Sequence, residues 1–75
     1  MEEYQRYFVE GLKQKCDNKI YAIVVAENED AAIKGVRDSG IYPLVVSRLI
    51  TKAFREDLPK DFKGCLVTKL IEIKE

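Results

Sequence analysis

Between Tyr4 and Leu12 the chain sets Tyr4, Arg6, Phe8 and Glu10 against Gln5, Tyr7 and Val9, in a run rich in aromatic and β-branched residues. A period of two with that composition predicts a strand. Asp17 and Asn18 then supply turn chemistry, since their short side chains bond nearby backbone and tolerate left-handed conformations. The turn leads into IYAIVVA, residues 20–26. This nearly continuous apolar run is too short for a stable helix and rich in β-branched types, so it predicts a strand buried on both faces and therefore central.

Asn28 is placed to cap a helix through its side-chain oxygen, with Glu29 and Asp30 at the positive end of the helix dipole. Gly40, Ile41 and Pro43 give the matching stop: a residue free to go left-handed, an apolar contact and a break. The spacing predicts a helix over 29–39 with Ala32, Ile33 and Val36 on its inner side and Lys34, Arg37 and Asp38 directed more to solvent. Gly35 lies inside it at a cost of roughly 1 kcal/mol against alanine, which close packing on a sheet would explain.

LVVSRLI, residues 44–50, predicts a third strand. Residues 47–57 admit two readings. In one they form a second helix, with Leu49, Ile50, Ala53 and Phe54 on one face and Arg48, Lys52 and Arg55 on another. In the other the strand ends near Thr51 and a short helical turn follows over 51–57, and we adopt this one. DLPKDFKG is a loop punctuated by Pro59 and Gly64, with Leu58 and Phe62 as apolar anchors. CLVTKLIEIK, residues 65–74, predicts a last strand with Val67, Ile71 and Ile73 on one face. The fold class is α+β: a four-stranded antiparallel sheet with one covering helix, in the order ββαββ. The first two strands and the last two are each expected to form a hairpin. No internal repeat, linker or low-complexity segment interrupts the pattern.

Seventy-five residues predict one domain with a marginal core, in which any active cleft would be shallow. Self-association would add burial, so a homodimer fits. Thirteen Lys and Arg balance thirteen Asp and Glu, so no global field favours nucleic acid or an anionic membrane. Locally, residues 31–55 hold Lys34, Arg37, Arg48, Lys52 and Arg55 against Asp38 alone. These five cations are the candidate site for an anion or a partner, beside the plainer reading of a solvated face. The N-terminal stretch lacks the basic flank and apolar run of a secretory signal, and no segment has membrane-spanning length, so a cytosolic location without membrane association is expected. Cys16 and Cys65 fit reduced thiols better than a disulfide, although a bridge would form if they sat on facing loops.

The chain contains no histidine. The commonest general base, proton shuttle and metal ligand is thereby absent, and histidine-dependent triads and imidazole zinc sites go with it. Two cysteines without a CxxC pair make no zinc site within one chain. Cys65, opening a strand, reads as a small core residue, and Cys16 in its polar turn has no base or second thiol nearby. Glu27, Glu29 and Asp30 are explained by helix capping. The four isolated glycines form neither a Walker loop nor GxGxxG, so no nucleotide cofactor is expected. Tyr4, Tyr7, Tyr21 and Phe8 beside Arg6 and Lys13 suggest base stacking on a sheet, but the ribonucleoprotein signature is missing, and cross-strand pairs in a core explain them more simply. The expectation is a non-enzymatic binding or adaptor module, without metal or cofactor, that meets a protein partner through its sheet face, an edge strand or the basic patch. The alternative is a nucleic-acid-associated protein using the cations of 34–55.

Overall fold

The computed structural model describes residues 3–74. Strand β1 (Glu3–Lys13) and strand β2 (Lys19–Ala26) pair antiparallel in unbroken register from Gln5↔Ala26 to Leu12↔Lys19. Asp17 takes a positive φ of 58° in the turn between them. Helix α1 (Glu29–Asp38) starts where capping chemistry requires, the Asn28 side chain accepting from the Ala31 N–H at 2.8 Å. Gly40 closes it at φ 85° and donates to the Arg37 carbonyl at 3.0 Å, and Ile41 is buried directly after it. That carries the chain into strand β3 (Ile41–Phe54), a short 3₁₀ turn at Arg55–Asp57, and strand β4 (Cys65–Ile73).

The third strand is longer than its apolar run suggests. It starts at Ile41 and reaches Phe54, so neither the second helix over 47–57 nor the full helical turn over 51–57 forms. Pro43 is tolerated because β3 is an edge strand, where a missing N–H costs no ladder bond. The sheet order is β3-β1-β2-β4. β2 is therefore central, as its composition requires. The last two strands do not form a hairpin; they occupy opposite edges. α1 returns the chain to the free edge of β1, where Lys13 meets Ile41, and the loop after β3 crosses the end of the sheet to the free edge of β2, where Ala26 meets Cys65. A hairpin uses two to five residues, whereas residues 55–64 are enough to span the strands between the two edges.

Alternation along the central strands builds two cores. Tyr7, Val9, Ile20, Ala22 and Val24 meet Ala32 and Val36 of the helix. On the opposite face Tyr4, Val25 and Ala53 are covered by Leu58 and Phe62 from the crossing loop. The two rings of Tyr4 and Phe62 lie edge to face, 4.8 Å between centroids. The loop is held by Arg55, which donates to the carbonyls of Pro59 at 3.0 Å and Lys60 at 3.3 Å. In β4 a register shift opposite Ile23/Val24 divides a set expected on one face. Val67 pairs with Val24 and packs into the helix-side core, while Ile71 and Ile73, paired with Tyr21 and Lys19, face the other way.

Gly35 rests against β4: a Cβ there would come within 2.9 Å of the Cys65 Cβ and closer still to its sulfur. The usual gain from Gly→Ala in a helix is therefore reversed. Gly35→Ala is expected to lower unfolding stability by about 1 to 3 kcal/mol through overpacking, read from urea denaturation, and Cys65→Ala in the same chain should recover part of the loss.

Candidate functional site

The five cations of the sequence patch do not form one cluster. Arg48 and Lys52 line a shallow groove on β3 with Gln5, Leu49 and Ile50. Lys34 borders a separate groove of mixed charge with Glu27, Asp38, Lys63 and Cys65. Lys52 is paired with Glu3 at 3.3 Å. The Arg55 guanidinium is held by the two loop carbonyls and lies 6.0 Å from the centre of the Phe62 ring. Arg37 is exposed on α1 and lines neither groove.

The thiols lie far apart in the fold. Cys16 is exposed in the β1–β2 turn, while Cys65 opens β4 beside Ala26 at the other end of the sheet, and both are free. Burial, reinforced by Asp38, pushes the Cys65 thiol up, which keeps it protonated and weakly nucleophilic near neutral pH. Among the described residues no group of three or more His, Cys, Asp or Glu is placed to hold a metal ion. None of the described helices is long and apolar enough to cross a membrane.

The aromatics separate by face. Tyr7 is buried under the helix and Tyr4 under the crossing loop. Phe8 and Tyr21 stack on each other at 5.8 Å on the side the helix does not reach. Register places Phe8, Leu12, Tyr21, Ile23, Val45 and Ile71 on this same face. Phe8, Tyr21, Ile23 and Ile71 line a groove there with Lys69. The loop covers only one end of the face, so Val45 keeps 48% and Ile71 50% of its surface accessible. Antiparallel sheets that face water on one side ordinarily alternate apolar with polar residues. Here the outward positions of both central strands are largely apolar; the charged ones are Arg6, Glu10 and Lys19, the last two 3.9 Å apart.

The two edges differ. β3 carries Pro43, the cations Arg48 and Lys52, and an irregular stretch between its pairings of Arg48 and Lys52, in which Ile50 stands 97% exposed. These features blunt strand addition. The far end of β4 is tied down by Glu72, whose carboxylate accepts from Asn18 at 2.8 Å and Lys13 at 3.2 Å.

The uncovered face was legible in the sequence only as one of several surfaces. The signal that singles it out is apolar content on both sides of residues 20–26 in a chain with one helix. Comparison with protein-family models, curated proteins and solved structures finds no match to this chain.

The hydrogen bond from Asn18, helped by Lys13, holds the Glu72 carboxyl below the usual carboxylate range. Its folded value is depressed, so the stability it adds is present at neutral pH and lost as pH falls through that lowered value. An NMR titration of Asn18→Ala should move the Glu72 midpoint up toward the ordinary range; an unmoved midpoint would contradict the assignment. Among the cations, Arg55→Ala should lower unfolding stability by about 1 kcal/mol through lost loop bonds, and Lys34→Ala should stay within about 0.5 kcal/mol of the parent chain, both read from urea denaturation.

Proposed function

We propose that the protein is a non-enzymatic binding module whose contact surface for another polypeptide is the uncovered face of its sheet. One observation carries this reading: Phe8, Tyr21, Ile23 and Ile71 form a continuous apolar surface that neither α1 nor the crossing loop reaches. Surfaces of this kind, rimmed by polar groups, serve association more often than solvation. Here the rim is Glu10, Lys19 and Lys69, and the Lys19 ammonium lies 5.8 Å from the centre of the Tyr21 ring.

The absence of histidine from the sequence supports the non-enzymatic part, since acid–base chemistry at neutral pH relies on that residue more than any other. So does the character of the interior: among the described residues no charged side chain is buried, and the buried side chains that carry a polar group are the phenols of Tyr4 and Tyr7. Polypeptide is favoured over nucleic acid because the candidate cations are divided between two grooves and a loop, with Lys52 already paired to Glu3. Phosphate binding draws on several cations along one track.

A photoreactive amino acid placed at position 71, and separately at position 60 in the crossing loop, tests the reading in the native cell. Adducts with polypeptide from position 71 and not from position 60 are expected. Nucleic-acid adducts, or polypeptide adducts from position 60 alone, would contradict it.

A further inference from the structure

Resting on that reading, we propose that the partner of the uncovered face is an amphipathic α-helix whose apolar stripe is flanked on both sides by acidic side chains.

Backbone chemistry selects the helix. The floor of the face consists of side chains, with Phe8, Tyr21, Ile23 and Ile71 at its centre. β1 and β2 are each paired on both sides, so their backbone groups are directed along the sheet and not out of it. Even at the register shift in β4 the Ile23 carbonyl accepts from the Thr68 hydroxyl at 3.1 Å. An extended segment laid on this floor would press its own N–H and C=O groups against apolar side chains, and a buried backbone group without a partner costs as much as a lost hydrogen bond. A helix satisfies those groups within itself and presents side chains alone. The other side of the same sheet is covered in that way, by α1 through Ala32 and Val36.

Size agrees. The bare floor runs five residues along β1, from Phe8 to Leu12, and spans the sheet's four strands. That is roughly 16 by 19 Å at about 3.3 Å per residue and about 4.8 Å per strand. A helix is about 10 Å across and runs about 15 Å in ten residues, so one short helix fills the floor. A contact between two folded domains, at about 800 Å² on each partner, is larger than the floor offers.

Charge sets the flanks. Arg6, Lys19 and Lys69 border the floor against Glu10, and Glu10 is matched by Lys19 at 3.9 Å. Arg6 pairs with Val25 and Lys69 with Ile23, so these two cations stand on opposite sides of β2. Neither is in an ion pair among the described residues. Two strand spacings separate β1 from β4, about 10 Å, which is the width of a helix lying along β2. Carboxylates on both flanks of its apolar stripe would meet the two cations, and cationic flanks would be repelled. The crossing loop leaves this balance unchanged, holding Arg55, Lys60 and Lys63 against Glu56, Asp57 and Asp61. Nucleic-acid bases fit less well, because Phe8 and Tyr21 already stack on each other at 5.8 Å.

The test is phage display on the immobilised full chain with two peptide libraries. One carries leucine at the helical spacing i, i+3, i+4 and i+7, the other at the extended spacing i, i+2 and i+4, and all remaining positions are random. Binders should come from the helical library, with Asp and Glu outnumbering Lys and Arg beside the stripe. A selected peptide should shift the amide resonances of Phe8, Tyr21, Ile23 and Ile71 and leave Leu70, on the helix side of β4, unmoved. Lys69→Glu should weaken it about tenfold or more with the circular dichroism spectrum unchanged, and Lys34→Glu on α1 should leave it as it was. Binders from the extended library alone, flanks without an acidic excess, shifts centred on Leu70, or no binder at all would overturn the acidic helix. If any of these occurs while the photoreactive residue at position 71 still captures polypeptide, the helix is wrong and the binding module stands. A random-sequence RNA oligonucleotide that shifts the same resonances in place of any peptide, with no polypeptide captured at position 71, would overturn both.

Discussion

A helix of ten residues is about 15 Å long and shields one side of whatever it lies on. The sheet beneath α1 has apolar side chains on both sides of its central strands, and this mismatch between cover and surface governs the rest of the structure. On the covered side, Tyr7, Val9, Ile20, Ala22 and Val24 close against Ala32 and Val36, and Gly35 lets the helix approach β4 at Cys65. On the other side the chain has only the loop after β3 to offer. That loop reaches Tyr4 and Val25 and stops there. What it leaves bare is the surface to which we assign contact with another polypeptide.

The topology follows from the same constraint. β1 and β2 pair first in sequence and fill the centre, so each has one free edge, and β3 and β4 take those edges rather than each other. Placing the later strands on opposite sides forces two crossings, one by the helix over one face and one by the loop over the other. The loop crossing produces the second small core, which covers one end of that face and leaves the rest bare. Arg55, read in the sequence as part of a candidate site for an anion or a partner, instead holds that loop through the carbonyls of Pro59 and Lys60.

Much of this was legible from residue types alone. The Asn28 cap, the Gly40 stop, the central place of residues 20–26 and the anchoring of Leu58 and Phe62 each rest on chemistry local to a few residues, which a sequence displays; burial of that strand on both faces does not follow, because Tyr21 and Ile23 stay half-buried on the side that no element covers. Partnering between strands does not. That β3 and β4 lie apart is set by which edges are vacant, although ten residues between them is a long connection for a hairpin. The split of Val67 from Ile71 and Ile73 arises from a register irregularity in β4 that no periodicity announces. The candidate cations were close in number and scattered in space, because alternation along β3 and rotation along α1 carry neighbours in sequence to different surfaces.

Solvent exposure of the bare face tests the account most directly. With a soluble paramagnetic probe added to the dilute chain, the Ile23 and Ile71 methyls and the Phe8 and Tyr21 rings should relax faster than the Ala22 and Val24 methyls beneath α1. Equal relaxation on the two sides of the sheet would contradict it.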